Sequence, residues 1–404
     1  MMRAVPGVSR SAGVAAAVLL AALASACSWS GRGGGPEPSG LPAFSGGATP
    51  SASAPASAGE WRRVDLPGTV RSVAAAADVI VAGEDAGRSM IAVVTGGSAR
   101  RLPAGGPPAP HGLAAADFDG ESLAVVERPP ADPATPAAVW QVDYSLLHDG
   151  VAASWRRDEI HDGNGRAATW LRPLLDGEED YRAVGAVRRG GGWALHAWMA
   201  WDTWRRLDRG EQLYLSGSPE ALRTGTTETT VVVAGAVSDR PEAPATTPQV
   251  WSLRDDLFED DDAPGRWTRL PTASAPDALT DVASWDLGWW VAGHRKLRPV
   301  VYDYDSVARP AGRELPVPDT RLDPRHPVVL VAGVPVSSAM VLATQSVEGA
   351  VVWVAGGPGS PRWTRVPAPP GVLGAAVAVP GGVYLVLDGA LWYRPLEVPR
   401  LRQG

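Results

Sequence analysis

Trp363-Thr364-Arg365-Val366-Pro367 repeats an earlier segment, Trp267-Thr268-Arg269-Leu270-Pro271, almost residue for residue. The shared motif is a Trp or Arg, a basic residue, an aliphatic residue and often Pro. Looser copies recur roughly every 40 to 60 residues, and a period of this size with short strands is typical of propeller blades. The looser copies are Trp61-Arg62-Arg63-Val64, Arg100-Arg101-Leu102-Pro103, Trp155-Arg156-Arg157, Trp204-Arg205-Arg206-Leu207 and Gly312-Arg313-Glu314-Leu315-Pro316.

The segments between the copies predict short strands. They are rich in Val, Trp and Tyr and are separated by Gly, Pro and Asp turns. No long segment after residue 59 shows a period of 3.6 residues, so helix is scarce. The clearest predicted blades have strands A to D at 279–284, 288–293, 299–304 and 313–316, and at 328–332, 340–344, 350–355 and 363–366.

The two ends of the repeat region predict how the ring closes. Segments 372–379, 382–387 and 390–395 give three strands with no fourth, whereas Trp61-Arg62-Arg63-Val64 has no strands before it. The N-terminal strand therefore supplies the outer strand of the last blade, which leaves no open sheet edge there. We predict an all-β propeller of about seven four-stranded blades over residues 60–399. Six or eight blades remain open, because the pattern resolves 166–207 poorly.

Two predicted turns between strands C and D resemble the Asp-box of sialidase-like propellers. The first contains Ser145, Asp149, Gly150 and Trp155, and the second contains Asp262, Gly265 and Trp267. In that family the motif is structural, so the resemblance implies a fold and no activity. A sialidase would also carry an Arg cluster, a Tyr–Glu pair and an Asp around the central channel. The sequence places none of these, and many of its arginines fall in the outer-strand motif.

The N-terminal segment predicts where in the cell the protein is located. Arg3 and Arg10 precede a short apolar run, and Leu23-Ala24-Ser25-Ala26-Cys27 resembles the lipobox of bacterial lipoproteins. In that family the thiol receives a diacylglycerol and the peptide is cut just before the Cys. We predict a signal peptide over residues 1–26 and lipidation at Cys27. The protein would then be held on the extracytoplasmic face of the cell membrane. An ordinary secretory signal with a coincidental Cys is the alternative.

Composition limits the function further. Residues 27–59 are mostly Gly, Pro, Ser and Ala, which predicts a flexible linker, and 400–404 are predicted to be a short tail. The net charge of −7 argues against a nucleic-acid partner. Cys27 is the single cysteine, so an internal disulfide and a Cys-based metal site are excluded. We expect a monomer.

No catalytic, cofactor or metal site is predicted. The acidic run 255–262 lacks the spacing of a calcium loop, and the six histidines show no metal-binding spacing. His161-Asp162 is interpreted as a loop histidine beside a turn-forming aspartate. The tryptophans of the motif are expected to pack between blades. A sugar-stacking role is left open for less periodic tryptophans, namely Trp198, Trp201, Trp289 and Trp290.

A binding site on a propeller is expected in its loops, because the blades are scaffold. One face carries the connections between strands B and C and those between blades. We predict a non-catalytic module that binds an envelope protein or a polar ligand there. The alternative is a degenerate glycan hydrolase or lyase, which would need two acidic groups facing each other at the channel mouth. The candidate residues of this face are Glu84, Asp85, Arg88, Glu127, Arg128, Asp239, Arg240, His294, Arg295, Lys296, Gln345 and Glu348.

Overall fold

The structure is a computed structural model. It describes the following residues: 60–76, 78–102, 107, 112–127, 135–144, 155–162, 164–175, 181–190, 192–200, 203–208, 213–215, 217–227, 230–241, 247–254, 265–285, 288–305, 312–334, 337–355 and 362–396. Among them no helix is long and apolar enough to cross a membrane.

Seven antiparallel sheets follow one another along the described chain. A short strand, β1 (Arg62–Arg63), comes before the first sheet. The first blade comprises β2 (Thr69–Ala75), β3 (Val79–Asp85), β4 (Arg88–Thr95) and β5 (Ser98–Arg101). The second comprises β6 (Leu113–Phe118), β7 (Ser122–Glu127), β8 (Ala138–Asp143) and β9 (Arg156–Glu159).

The third blade has a divided outer strand. Its inner strands are β10 (Trp170–Leu175), β11 (Tyr181–Arg189) and β12 (Gly192–Ala200). Two short strands, β13 (Trp204–Arg206) and β14 (Leu213–Leu215), then pair with opposite ends of β12. This division explains why the repeat pattern is poorly resolved over 166–207.

The fourth blade follows a 3₁₀ helix, Pro219–Ala221, and lends a strand to the third. Its second and third strands are joined by a connection that contains a short extra strand. That extra strand, β17 (Val237–Ser238), pairs with β14 and so extends the sheet of the third blade. The strands are β15 (Arg223–Thr227), β16 (Thr230–Gly235), β17 (Val237–Ser238), β18 (Gln249–Arg254) and β19 (Trp267–Leu270).

The last three blades are regular. The fifth comprises β20 (Ala278–Trp285), β21 (Gly288–Arg295), β22 (Arg298–Asp305) and β23 (Arg313–Glu314). The sixth comprises β24 (Val329–Val334), β25 (Ser337–Ser346), β26 (Gly349–Ala355) and β27 (Trp363–Pro367). The seventh contains β28 (Leu373–Val379), β29 (Gly382–Leu387) and β30 (Ala390–Pro395).

The ring closes through the N-terminal strand. β1 pairs antiparallel with β30, with Arg62 opposite Tyr393 and Arg63 opposite Trp392, and this pair completes the seventh sheet. The innermost strands contact one another in the cyclic order β2, β6, β10, β15, β20, β24, β28 and back to β2. The predicted seven-bladed fold and its closure are confirmed.

The strands of a blade differ in how much of their surface is exposed to solvent. The second strands are almost continuously apolar and buried: β7, β16 and β29 have no exposed residue. The innermost strands are partly exposed along much of their length, as in β20 and β28. Because their outer edge pairs with the second strands, this partial exposure faces the ring axis, which we call the channel.

The tryptophans of the motif join neighbouring blades, as expected from their repeated position. The indole N–H of Trp61 donates to the carbonyl oxygen of Pro367 in the preceding blade at 2.7 Å. Trp363 makes the equivalent bond to Pro316. Trp204 and Trp267 reach carboxylates of the preceding blade instead, those of Asp158 and Asp208.

Candidate functional site

The face on which strand B joins strand C, here called the BC face, is also the face at which each innermost strand begins. Those innermost strands expose unpaired backbone groups to the channel, and side chains of the preceding blade satisfy several of them. The Ser72 hydroxyl accepts the Ala116 N–H at 3.1 Å, and the Asp117 carboxylate accepts the Leu175 N–H at 2.8 Å. In the fifth blade the Asp281 carboxylate accepts the Val331 N–H at 2.9 Å.

A β-bulge precedes two of these side chains. In β2 the register shifts between Val70 and Ser72, and in β20 it shifts between Leu279 and Asp281. Ser72 and Asp281 therefore occupy equivalent positions, directly after the bulged residue. Because a neutral serine makes the same bond in the first blade, the negative charge of Asp281 is not required for this bond.

The bulge in β20 also helps to position an arginine of the fourth blade. A bulged residue is unpaired in its sheet, so its carbonyl is available to other donors. Arg223, the first residue of β15, donates from Nε to the Thr280 carbonyl at 2.7 Å. Its Nη1 donates to the carbonyls of Glu220 and Leu222, each at 2.8 Å. Three backbone carbonyls thus hold this guanidinium group in place through two of its three nitrogens.

A second arginine lies on the neighbouring innermost strand. Arg172, in the first half of β10, is half-buried, and its guanidinium carbon lies 6.0 Å from the centre of the Trp170 ring. Burial lowers its pKa, and so does the nearby charge of Arg223, whereas Glu220 and Asp281 act in the opposite direction. Both arginines are charged at neutral pH, because arginine does not deprotonate in proteins.

Asp281 completes a charged cluster drawn from three adjacent blades. Burial raises the pKa of this carboxyl to about 7, although the Val331 N–H and the charges of Arg223 and Arg172 lower it. A carboxyl whose pKa is perturbed beside two cations is a recognised mark of a functional site. We call Arg172, Arg223 and Asp281 the channel cluster. Each lies in the first half of its innermost strand, toward the BC face.

The sequence-predicted residues do lie at the BC face, each at the B–C connection of its own blade. They are spread over the first, second, fourth, fifth and sixth blades, so they surround the channel and do not form one cluster. Arg128 and Cys27 lie outside the described residues. The positions are Glu84, Asp85 and Arg88 around the β3–β4 turn, Glu127 at the end of β7, Asp239 and Arg240 after β17, His294, Arg295 and Lys296 at the β21–β22 turn, and Gln345 and Glu348 around the β25–β26 turn.

Three of these residues brace the outermost strand of their own blade. Asp85 pairs with Arg101 at 2.9 Å in the first blade. Arg295 forms two bonds to Glu314, at 3.0 and 3.2 Å, in the fifth blade. Glu348 pairs with Arg365 at 3.4 Å in the sixth. These contacts give the three residues a structural role.

Two others are buried in the blade. The Gln345 side chain is 6% exposed, and its Oε1 accepts the Leu373 N–H at 2.9 Å, which ties the sixth blade to the seventh. His294 is 8% exposed, and burial lowers its pKa against the pull of Asp277. Neither is presented to a ligand at the surface.

A second concave feature lies on the outer side of the fourth blade. It is an open cleft of about 500 Å³. Trp251 and Trp267 form its floor, but they are only 5% and 3% exposed and offer no face for stacking. Asp239 is the one predicted site residue among those that line it. The lining is Ser238, Asp239, Gln249, Trp251, Arg266, Trp267, Thr268 and Arg269.

The remaining catalytic candidates are structural or lie outside the described residues. Asp162 accepts the N–H groups of Asn164 and Arg166 and so closes a turn, as interpreted. His196 and Asp208 are joined at 2.9 Å, but both side chains are fully buried and unreachable by a substrate. The acidic run 255–262 lies outside the described residues, as do Ser145, Asp149, Gly150 and Asp262 of the Asp-box segments. No metal-binding cluster occurs among the described residues.

Sequence reasoning missed the channel cluster. Many arginines fall in the outer-strand motif, whereas Arg172 and Arg223 lie on innermost strands. Asp281 lies inside the predicted strand 279–284, and that prediction assigns it no functional role. The available signal was a charged residue within the first strand of a blade, next to the apolar residues of that strand. The three residues come together because of the ring arrangement of the blades, which cannot be predicted from the residues next to each of them in sequence.

No family model matches the chain, and no curated protein matches it. Among solved structures it is similar to an uncharacterised protein of Listeria monocytogenes EGD-e, with 9% identity over 81% of this chain and 92% of that one, at a TM-score of 0.47. It is also similar to the six-bladed fucose-binding lectin of Aleuria aurantia, with 13% identity over 75% and 96%, at a TM-score of 0.43. At this level of likeness neither the ligand nor the chemistry of these proteins is carried over.

Proposed function

We propose that this protein is a non-catalytic binding module of the cell envelope that takes a polar ligand at the channel mouth on its BC face. The observation that carries the proposal is the channel cluster. Two arginines and an aspartate of adjacent innermost strands come together there, and each of the three is partly exposed. Preorganised polar groups on a scaffold of strands suit selective binding.

The proposed location at the cell envelope is supported by the sequence. The segment that ends at Cys27 resembles a lipobox, and 27–59 have the composition of a flexible tether. Together they support a propeller held by a lipid anchor on the extracytoplasmic side of the membrane, where it would meet an envelope protein or a soluble ligand.

The alternative function is glycan hydrolysis or lysis on the same scaffold. One observation favours it: the pKa of Asp281 is raised to about 7, as a general acid requires. However, hydrolysis of this kind uses two carboxyl groups that face the scissile bond. The groups that act on Asp281 are the N–H groups of Val331 and Val282 and the charges of Arg223 and Arg172. The composition of the cluster therefore favours ligand binding over hydrolysis.

The experiment is a ligand screen with a chemical readout. The full chain is titrated with neutral oligosaccharides, acidic oligosaccharides and short peptides while the unfolding temperature is recorded, because a ligand that binds the native state raises it. Each mixture is then examined by mass spectrometry. The same screen is run on Arg172→Gln and on Arg205→Gln, an exposed arginine of the outer strand β13.

A ligand that stabilises the wild type and Arg205→Gln, loses its effect in Arg172→Gln and is recovered unchanged supports the proposal. Cleavage of a glycan that is abolished in Asp281→Asn would establish the enzymatic alternative instead. Stabilisation that is equal in all three proteins would place the binding site away from the channel and overturn the proposal.

A further inference from the structure

Resting on the proposed function, we propose that Arg172 and Arg223 together bind an anionic group of the ligand, a carboxylate, sulfate or phosphate, that enters the channel from the BC face. The inference concerns the chemical class of the ligand. It rests on the hydrogen bonds that these two side chains make and on their N–H donors that have no acceptor among the described residues.

Arg223 is fixed but not saturated. Its Nε and Nη1 are engaged by the carbonyls of Thr280, Glu220 and Leu222. Among the described residues no acceptor is bonded to Nη2. A guanidinium group held through Nε and Nη1 by neutral carbonyls keeps its full charge and presents Nη2 in a defined direction. Such a group needs no reorganisation to accept an anion.

Arg172 is the less satisfied of the two. No described residue accepts a hydrogen bond from its guanidinium group, and no described carboxylate lies within ion-pair distance of it. Its neighbour on the same face is the Trp170 ring. The guanidinium group therefore has its five N–H donors available, in the planar arrangement that matches the oxygens of a carboxylate, sulfate or phosphate.

The two cations are placed against their own repulsion. Strands β10 and β15 are in contact, and the charge of Arg223 disfavours the charged form of Arg172. Like charges brought together in a partly buried site destabilise the fold unless something offsets them. An anion between the two groups removes this repulsion and satisfies the unused donors at the same time.

Asp281 sets the condition under which the anion binds. A serine makes the equivalent backbone bond in the first blade, so the carboxylate is an additional charge beside the two arginines. When ionised it opposes an incoming anion, and when protonated it does not. Glu220, on the preceding 3₁₀ helix, is the other carboxylate that acts on Arg172. It is exposed, so solvent screens its charge more strongly.

The test uses simple anions as probes. Sulfate, inorganic phosphate and acetate are titrated into the full chain by calorimetry at constant ionic strength, with chloride as the reference salt. We expect at least one probe to bind, with affinity reduced tenfold or more in Arg172→Gln and unchanged in Arg205→Gln. The order of the three probes identifies the kind of anionic group. Because sulfate keeps its charge from pH 5 to 9, its affinity should fall as the pH rises through about 7 and should lose that dependence in Asp281→Asn.

Arg172→Lys separates geometry from charge, since it keeps the cation and removes the planar donors. Affinity intermediate between wild type and Arg172→Gln supports direct contact. Equal affinity of all variants for every probe, or no binding of any probe, overturns the inference. If neutral ligands still bind in the screen above while no anion does, the anion inference fails and the binding function stands. If acidic and neutral ligands all fail, both fail.

Discussion

The indole nitrogen of Trp363 lies 3.0 Å from the carbonyl oxygen of Pro316 and donates a hydrogen bond to it. Trp363 begins the outer strand of the sixth blade, and Pro316 follows the outer strand of the fifth. Both residues belong to the repeated motif, so one copy of the motif is bonded to the copy before it. The same bond recurs between Trp61 and Pro367. The motif is therefore a contact between blades as well as a strand within one.

Trp363→Phe should lower the free energy of unfolding by about 1 kcal/mol, because it leaves the Pro316 carbonyl without its donor. Trp353→Phe is the matched control. Trp353 packs in the same apolar cluster, but its indole nitrogen is buried with no partner among the described residues. The control should be neutral or slightly stabilising. Urea denaturation measures both, and equal losses would show that the hydrogen bond contributes nothing.

Gly312→Ala should destabilise the fifth blade by about 1–3 kcal/mol, the usual cost of overpacking. Gly312 stands where other copies of the motif have Trp, and a Cβ there would overlap the buried Tyr304 ring. Gly217→Ala is the control, because its Cβ meets no atom within 4 Å. Thermal unfolding of the two variants gives the comparison. A stable Gly312→Ala protein would mean that Tyr304 can move aside.

Removal of residues 28–58 should leave the melting temperature nearly unchanged, since that segment has the composition of a flexible linker. Extending the deletion through Leu66 should unfold or oligomerise the protein. The longer deletion removes β1 and the buried Val64, and it bares the edge of β30. Calorimetry and light scattering on both truncations test this. Equal melting temperatures would show that the closing strand is dispensable.

Asp281→Asn should change how stability depends on pH. The carboxyl titrates near 3.8 in the unfolded chain and near 7 in the folded one, so between these values the folded state holds the extra proton. The contribution of Asp281 is therefore greatest below pH 4 and is lost as the pH rises through 7. Asn keeps an oxygen for the Val331 N–H but does not titrate. The variant should gain stability relative to wild type from pH 4 to 7, and a constant difference would contradict the raised pKa.

Cys27→Ser should release the protein from the membrane fraction. Two or more acyl chains anchor a protein stably, at about 0.8 kcal/mol per buried CH₂, and this substitution removes their attachment site. Fractionation of cells that express each form, with quantitative blotting, measures the change. A variant that sediments with membranes as the wild type does would contradict the lipid anchor.

The repeat made most of the fold predictable. Predicted strands 382–387 and 390–395 coincide with β29 and β30, because the Gly and Asp turns that bound these apolar runs mark where each strand begins and ends. The third blade was not predictable, since β14 is completed by β17 from a different blade. Arg172, Arg223 and Asp281 meet for a comparable reason. They are brought together by the arrangement of the blades in a ring and by the bulge at Thr280. Neither feature can be predicted from the residues adjacent to them in sequence.

The pairing of β1 with β30 also determines the order in which the molecule can fold. The bond from Trp61 to Pro367 spans 306 residues, so the first part of the propeller to be synthesised waits for the last. Contacts between such distant residues form slowly, whereas the hairpins of each blade form early. During that interval β30 is an unoccupied template, and the β1 strand of a second chain fits it as well as its own does. Dilution and rapid synthesis of the last blade therefore favour closed monomers, and crowded refolding favours dimers that exchange their first strands.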